Sequence, residues 1–322
     1  MILTVTLNPL LERRMKYENI TMGIENRNGV EELKVGGKGI NVSRQLNNLG
    51  SDNLAFTFLG GENGKIVKEL LFKEDIKNTS VRTKSETRNS YIILEENAGR
   101  LTSCFGKNQE ISAGEADEFK NKLEKIIQNC EIAVFSGSSP SRAADDIFPF
   151  GIELANKYDK ISVLDTYGPH LAECINAGPT IVHNNRDEVE NSLGVKLSSA
   201  EEVIAHLRFL YSKGVKQSFL TDGAGKINAA NFDFIYSASF EPVADVKDST
   251  GSGDAFTAGI VYGLENDYTF EQSLTLAVKL GLKNTRSFEA CNIKKEELES
   301  FTGMINITPV GKKMKILDVT PT

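Results

Sequence analysis

Two glycine-rich segments hold the residue types best suited to chemistry. The first is Asp248-Ser249-Thr250-Gly251-Ser252-Gly253-Asp254-Ala255-Phe256, which runs into an apolar helical stretch through Val261. Glycines at 251 and 253 allow a tight bend and close approach of the backbone to a ligand. The first amides of the following helix lack intrahelical partners and sit at its positive end, which suits a phosphate. Asp254 falls in that first turn. A carboxylate within reach of a substrate hydroxyl can act as a general base, an effect worth about 10²–10⁴-fold in rate. A plain turn and helix cap would use the same residue types. The second segment, Val35-Gly36-Gly37-Lys38-Gly39-Ile40-Asn41-Val42, sets three glycines around a lysine at a helix start. It is another anion-friendly turn, with Lys38 as a point charge. It is not a P-loop, because G-x-x-x-x-G-K-[ST] is absent.

Other residues carry weaker signals. Asn185 and Glu188, at i and i+3, can share a helix start and hold Mg²⁺ through water, or simply cap the helix. Arg88 suits a phosphate, although a lone surface arginine usually binds none. Glu12, just after the first strand, can read sugar hydroxyls or face solvent. His183 stands near a strand end, as a packed residue or a ligand group. His170 and His206 carry no pattern.

These residues need elements to position them. Short β-rich runs end in polar or small residues and give way to helical stretches: Ile2–Leu7, Leu54–Leu59, Ile132–Phe135, Ile161–Leu164, Thr180–Val182 and Ser218–Leu220. Helical spacing follows over Ile40–Leu49, Lys65–Phe72, Phe119–Ile127, Val203–Leu210 and Leu274–Leu282. This alternation predicts βαβ units and a mainly parallel sheet, which binds ligands at the carboxyl ends of its strands. Residues of about 10–35 and 87–107 break the rhythm with alternating runs and a turn at Gly99, and they predict a small extra sheet placed as a lid.

Composition narrows the class. The 322 residues include 40% hydrophobic and 25% charged residues, an ordinary globular balance. A net charge of −7 argues against nucleic acid or an anionic membrane as the main partner. Cys104, Cys130, Cys174 and Cys291 lie far apart without C-x-x-C, which reads as a reduced, cytoplasmic chain. The apolar N-terminus is short and reads as a strand, and no apolar run suggests a membrane span.

The combination resembles the ribokinase-like PfkB carbohydrate kinases, nearest to the fructose-1-phosphate and tagatose-6-phosphate kinase branch. The resemblance runs nearly end to end. It includes T-L-N-P at Thr6–Pro9, G-G-K-G-I-N-V at Gly36–Val42, F-L-G-G at Phe58–Gly61 and T-R at Thr87-Arg88. S-G-S at Ser136–Ser138, L-D-T at Leu164–Thr166, N-x-x-E at Asn185–Glu188 and T-G-S-G-D-A-F at Thr250–Phe256 complete it. It implies one three-layer α/β/α domain over 1–322, with the small β-sheet as lid and often as dimer interface. It also implies ATP-dependent phosphorylation of a sugar or sugar-phosphate hydroxyl, with Asp254 as base and Gly251, Ser252 and Gly253 as an anion hole. By the same resemblance, Asn185 and Glu188 serve Mg²⁺, while Asn185, Thr221, Gly223, Gly225 and Asn284 serve the nucleotide. Gly37, Lys38 and Asn41 contact the sugar, and Arg88, Arg27 and Ser138 hold its phosphate.

The chain departs from the family pattern in places. Glu12 replaces the usual Asp, Ser139 stands in S-G-S-S-P, Ser90 replaces an amide in T-R-N-S, and His183 replaces a lysine before N-x-x-E. One extra methylene at Glu12 shifts its oxygens by more than about 1 Å, enough to change which hydroxyls it reaches. The leading expectation is a kinase for fructose 1-phosphate, fructose 6-phosphate or tagatose 6-phosphate, using ATP and Mg²⁺. The alternatives are a kinase of an unphosphorylated sugar or nucleoside, and a non-catalytic binder.

Overall fold

Short runs of Ile, Leu, Val and Phe buried on both faces build the centre of the molecule. A computed structural model describes residues 1–223, 225–241, 243 and 245–310; the last residues of the expected 1–322 domain lie outside them. The strands are β1 (Ile2–Thr6), β2 (Leu10–Tyr17), β3 (Val30–Gly36), β4 (Asn53–Gly60), β5 (Asn78–Thr83), β6 (Asn89–Glu95) and β7 (Arg100–Phe105). They continue with β8 (Ile132–Ser136), β9 (Ile161–Asp165), β10 (Ile181–Asn185), β11 (Gln217–Thr221), β12 (Ile227–Asn231), β13 (Phe234–Phe240) and β14 (Ile305–Val310). The helices are α1 (Lys38–Asn48), α2 (Gly61–Lys73), α3 (Ala113–Ile127), α4 (Ile147–Lys157) and α5 (Leu171–Asn176). After them come α6 (Arg186–Leu193), α7 (Ala200–Ser212), α8 (Ser252–Glu265), α9 (Phe270–Asn284) and α10 (Lys295–Glu299).

Among the described residues the large sheet has ten strands in the order β14-β13-β12-β11-β10-β9-β8-β1-β4-β5. From β5 to β11 every neighbouring pair is parallel, and β12, β13 and β14 add on antiparallel. Alternate residues feed two cores. Leu3, Val5, Phe56, Phe58, Ala133 and Phe135 pack with α3, α4 and α5. Ile2, Ile132, Val134 and Ile181 pack on the other side with α1, α8 and α9. The result is the three-layer α/β/α arrangement.

The second sheet has the order β3-β2-β6-β7 and joins two sequence-distant pieces through the parallel pair β2–β6. Gly99, at φ +57°, sits in the turn between β6 and β7. The antiparallel end of the large sheet is the part that the strand-and-helix rhythm does not reveal. Its β12–β13 turn places Phe232 at φ +53°, where a glycine would have marked a hairpin. No helix among the described residues is long and apolar enough to cross a membrane.

Candidate active site

The parallel strands end in polar groups because their carboxyl ends open on a cavity of about 770 Å³. Thr6, Gly137, His183, Asn185 and Thr221 line its floor at or beside strand ends, as expected for an open α/β sheet. Leu10, Glu12, Ile92, Ser103 and Phe105 from the second sheet form part of its wall. Ile227, Phe240, Val246, Val278 and Leu282 give it an apolar end.

Both glycine-rich segments reach this cavity. α1 begins after Gly37 (φ +127°) and α8 after Gly251 (φ +80°), and neither start has a side-chain cap. By contrast, Ser112, Asn185, Ser199 and Thr269 close capping boxes on α3, α6, α7 and α9. Helix starts without side-chain caps that face a cavity suit anions. Gly251 is required twice over: its backbone is left-handed, and a Cβ there would lie 2.7 Å from Ala290 Cβ. The Ser252 amide differs from the expectation. It donates to the Ser249 carbonyl at 3.1 Å and so closes the turn.

Charge in the site centres on Lys38. Its Nζ donates to Asp165 Oδ1 at 2.6 Å and to Glu188 Oε1 at 2.7 Å. Burial acts to lower the lysine pKa, but Asp165, Glu188 and Asp254 outweigh it and raise it well above the ordinary value. Burial likewise acts against ionised Asp165, yet Lys38 and His183 hold that carboxyl far below the usual range. Asp254 goes the other way. Burial, aided by Asp165 and opposed by Lys38 and Asn41, pushes it up to about 7. Asn41 Nδ2 donates to Asp254 Oδ2 at 2.7 Å. Thr257 Oγ1 donates to Asp165 Oδ2 at 2.9 Å and also contacts His183 Nδ1 at 2.9 Å. The His183 ring stacks on Phe256 with centroids 4.8 Å apart.

At the other end of the cavity, Arg88 donates to the Asn8 carbonyl at 3.0 Å and to Asn108 Oδ1 at 3.1 Å. Its Nε is buried with no hydrogen-bond partner among the described residues, and burial lowers its pKa. Ser138 stands beside it and accepts from Asn8 Nδ2 at 3.1 Å. Glu12 is buried, its Oε2 gripped by Arg14 Nε and Nη2 at 2.9 and 2.7 Å.

Most of the expected site residues therefore converge: Asp254, Gly251, Ser252, Gly253, Glu12, Gly37, Lys38, Asn41, Arg88, Ser138, Asn185, Glu188, Thr221 and Gly223 all line the cavity. Three do not. Arg27 pairs with Glu25 in a connection between β2 and β3, with its side chain 78% exposed. Asn284 is fully buried; its amide donates to the Thr250 carbonyl and its Oδ1 accepts from the Cys291 amide, so it braces the Gly251 loop. Gly225 only closes a turn on the Asp222 carbonyl. Lys38, moreover, is not a free cation for a substrate phosphate, because two carboxylates already hold it.

Sequence reasoning missed Asp165, Thr257 and Arg14 as site residues. Asp165 was visible as a polar strand end and within the L-D-T match at Leu164–Thr166, with no role attached to it. Arg14 had a usable signal, since residues two apart on a strand share a face with Glu12.

Comparison with known proteins shows the family to which the chain belongs. A model described as pfkB family carbohydrate kinase matches residues 12–297. The tagatose-6-phosphate kinase of Staphylococcus epidermidis is 30% identical over 313 residues, 96% of this chain and 100% of the relative. The 1-phosphofructokinase of Borreliella burgdorferi is 30% identical over 304 residues, covering 91% and 94%. Among solved structures, a possible 1-phosphofructokinase of Thermotoga maritima has a TM-score of 0.88 at 24% identity, covering 97% of this chain and 100% of the other. Escherichia coli phosphofructokinase-2 in complex with potassium has a TM-score of 0.85 at 21% identity, covering 93% and 97%. These two establish the shared fold.

The glycine geometry yields a pair of opposed outcomes. Gly251→Ala should lose about 1–3 kcal/mol from backbone strain and the Ala290 contact, read as a lower urea midpoint. Gly253→Ala should unfold at the wild-type midpoint, since its Cβ would meet only His183 Cε1, at 3.4 Å. Equal midpoints for the two variants would show that the Gly251 turn relaxes without cost.

Proposed function

The chain belongs to the pfkB family of carbohydrate kinases, and on that premise we propose that it transfers the γ-phosphoryl group of ATP to a hydroxyl of a ketohexose phosphate. The observation that carries the reading is the Asp254 carboxyl, buried, hydrogen-bonded by Asn41 and balanced near neutrality in the first turn of α8. Asp254 takes the proton of the acceptor hydroxyl as that oxygen bonds to the γ-phosphorus. The bond from phosphorus to the bridging oxygen breaks, and ADP leaves with its electron pair. The Gly251 and Gly253 amides and the positive end of α8 face the charge that builds on the transferred group. Lys38 acts by holding Asp165 ionised and by fixing the Glu188 side chain in place. The apolar end of the cavity, with Thr221 and Gly223 beside it, suits a nucleotide base and sugar.

The donor set also fits Mg²⁺ held through water. Glu188 faces the cavity, and each of its oxygens keeps a lone pair beyond those used by Lys38 and the Asn185 amide. No group of three or more His, Cys, Asp or Glu among the described residues forms a protein-only cage. Mg²⁺ that binds between a carboxylate and phosphates commonly keeps several waters. When bound, the ion would neutralise phosphate charge, with Asn185 and Glu188 orienting its waters.

A phosphorylated acceptor is favoured by Arg88, a half-buried guanidinium at the cavity with its Nε buried and no carboxylate partner among the described residues. Such a cation is poorly compensated until an anion arrives. The second sheet, whose β2, β6 and β7 contribute to the cavity wall, serves in this reading as the lid. Its other side carries Met15, Tyr91 and Ile93, with Tyr91 exposed, and suits a second copy of the chain.

Four outcomes follow from this reading. Asp254→Asn should keep its fold and nucleotide binding but lose about 10²–10⁴-fold in kcat. In the wild type, kcat/KM should fall on the acid side of about 7, where Asp254 takes up its proton. Near-normal turnover in the variant would remove Asp254 from the base role. Arg88→Ala should cost about 10–100-fold in kcat/KM on phosphorylated ketohexoses and leave free sugars unaffected. Equal effects on both classes would point to an unphosphorylated acceptor. Sedimentation velocity should give a dimer that Ile93→Asp converts to monomer, and a wild-type monomer at all concentrations would exclude the lid-to-lid pairing.

A further inference from the structure

The Asn41 amide has two ends, and both are occupied. Nδ2 donates to Asp254 Oδ2 at 2.7 Å, while Oδ1 accepts from Arg44 Nη1 at 2.7 Å. A guanidinium has donors only, so it can meet only the carbonyl end of an amide. With Oδ1 pinned to Arg44, the NH₂ end must face Asp254. Arg44 is itself fixed at two more points. Nη2 donates to the Val35 carbonyl of β3 at 2.7 Å, and Nε donates to Glu74 Oε2 at 2.5 Å, just past the end of α2. Its side chain is 13% exposed. It borders a separate cavity of about 300 Å³ behind α1 and stands outside the one that would take the substrates.

We propose that Arg44 is a positioning residue for phosphoryl transfer, setting the orientation of the Asn41 amide and, through it, of the Asp254 carboxylate. The inference rests on the reading of Asp254 as the base. Asn41 and Arg44 are three apart on α1 and so lie side by side along one helix face. An amide turned over would set Oδ1 against the carboxylate, replacing a hydrogen bond to an anion with repulsion between oxygens. Arginine suits the position because its rigid fork meets acceptors from β3, from α1 and from the end of α2 at once, which an ammonium on a flexible stem does not. The charged groups that act most on Asp254 are Lys38 from α1, Asp165 from the end of β9 and Glu188 from α6, and the buried Cys291 thiol from the stretch after α9 also faces it. Replacing Arg44 removes none of them.

The test is the pH profile of kcat/KM, with Mg·ATP and whichever of fructose 1-phosphate, fructose 6-phosphate and tagatose 6-phosphate turns over best. Arg44→Met should move the acid limb up by about one pH unit and lower kcat at neutral pH about tenfold, with KM for ATP unchanged. Loss of a positive charge alone could also move the limb. A cycle with Asn41→Ala separates the two causes: on that background Arg44→Met should shift the limb no further. Arg44→Lys keeps the charge without the fork and should behave as Arg44→Met does. A wild-type profile in Arg44→Lys, or a full-sized shift on the Asn41→Ala background, would overturn the proposal. Should Arg44→Met not fold, Arg44→Lys in the same cycle decides. Turnover retained in Asp254→Asn would sink the base reading, and the Arg44 role with it. Loss of turnover there, with Arg44 profiles unchanged, would sink the Arg44 role alone.

Discussion

A single half-buried ammonium makes the rest of the site possible. Asp165, Glu188 and Asp254 converge from β9, α6 and α8, and three carboxylates so close together could not all ionise without compensation. Lys38 supplies it through two short bonds, to Asp165 and Glu188, and acts on Asp254 through its charge. Such an arrangement is costly to desolvate and is weak ground for a stability argument. Its consequence is chemical: Asp165 stays ionised while Asp254, without a direct bond to Lys38 among the described residues, is left near neutrality. Two acids beside one cation thus have opposite shifts, the pattern that separates a structural carboxylate from a candidate base.

Five of the helix starts contrast in the same way. Where α3, α7 and α9 begin, at exposed Ser112, Ser199 and Thr269, side chains close capping boxes and the first-turn amides are satisfied locally. Where α1 and α8 begin, glycine replaces the cap and the helix end faces the cavity. With glycine at the cap position, forgoing the side chain costs only about a few tenths of a kcal/mol. α6 stands between the two classes: Asn185 caps it, yet Glu188 of the same box turns its other oxygen to Lys38. The cap reading of that N-x-x-E pair thus holds, and the same glutamate also meets Lys38 at the cavity.

What could be read from sequence follows from which interactions are local. The parallel strands were legible because burial on both faces makes each an apolar run with a polar end, and the glycine turns were legible because few residues tolerate their backbone. Arg27 and Asn284 were not, because each role depends on where distant segments meet. Arg27 sits in a connection whose position only the folded second sheet defines. Asn284 lies on α9, one turn from cavity-lining Gly281, yet its amide turns inward to Thr250 and Cys291. Asp165 was hidden for a related reason: an acid at a strand end is ordinary until Lys38, from 127 positions earlier, is brought against it.

Glu12 shows how a departure in sequence can be absorbed by its surroundings. A longer acid at this place carries its oxygens further than an aspartate would, and the structure accommodates it on two sides. Arg14, on the same strand face, takes Oε2 through two donors. Oε1 lies 2.4 Å from where a Cβ on Gly36 would stand, so this glycine, diagonally across on β3, is what leaves room for the extra methylene. Arg14 also donates to the Phe288 carbonyl, and Lys34 on the neighbouring strand meets Glu289. The second sheet is thereby tied to the same 285–291 stretch whose Ala290 and Cys291 pack against Gly251. A side chain that would read the acceptor is thus linked, through one arginine and one loop, to the turn that would receive the phosphoryl group. Any change at residue 12 has to be weighed at both ends of that connection.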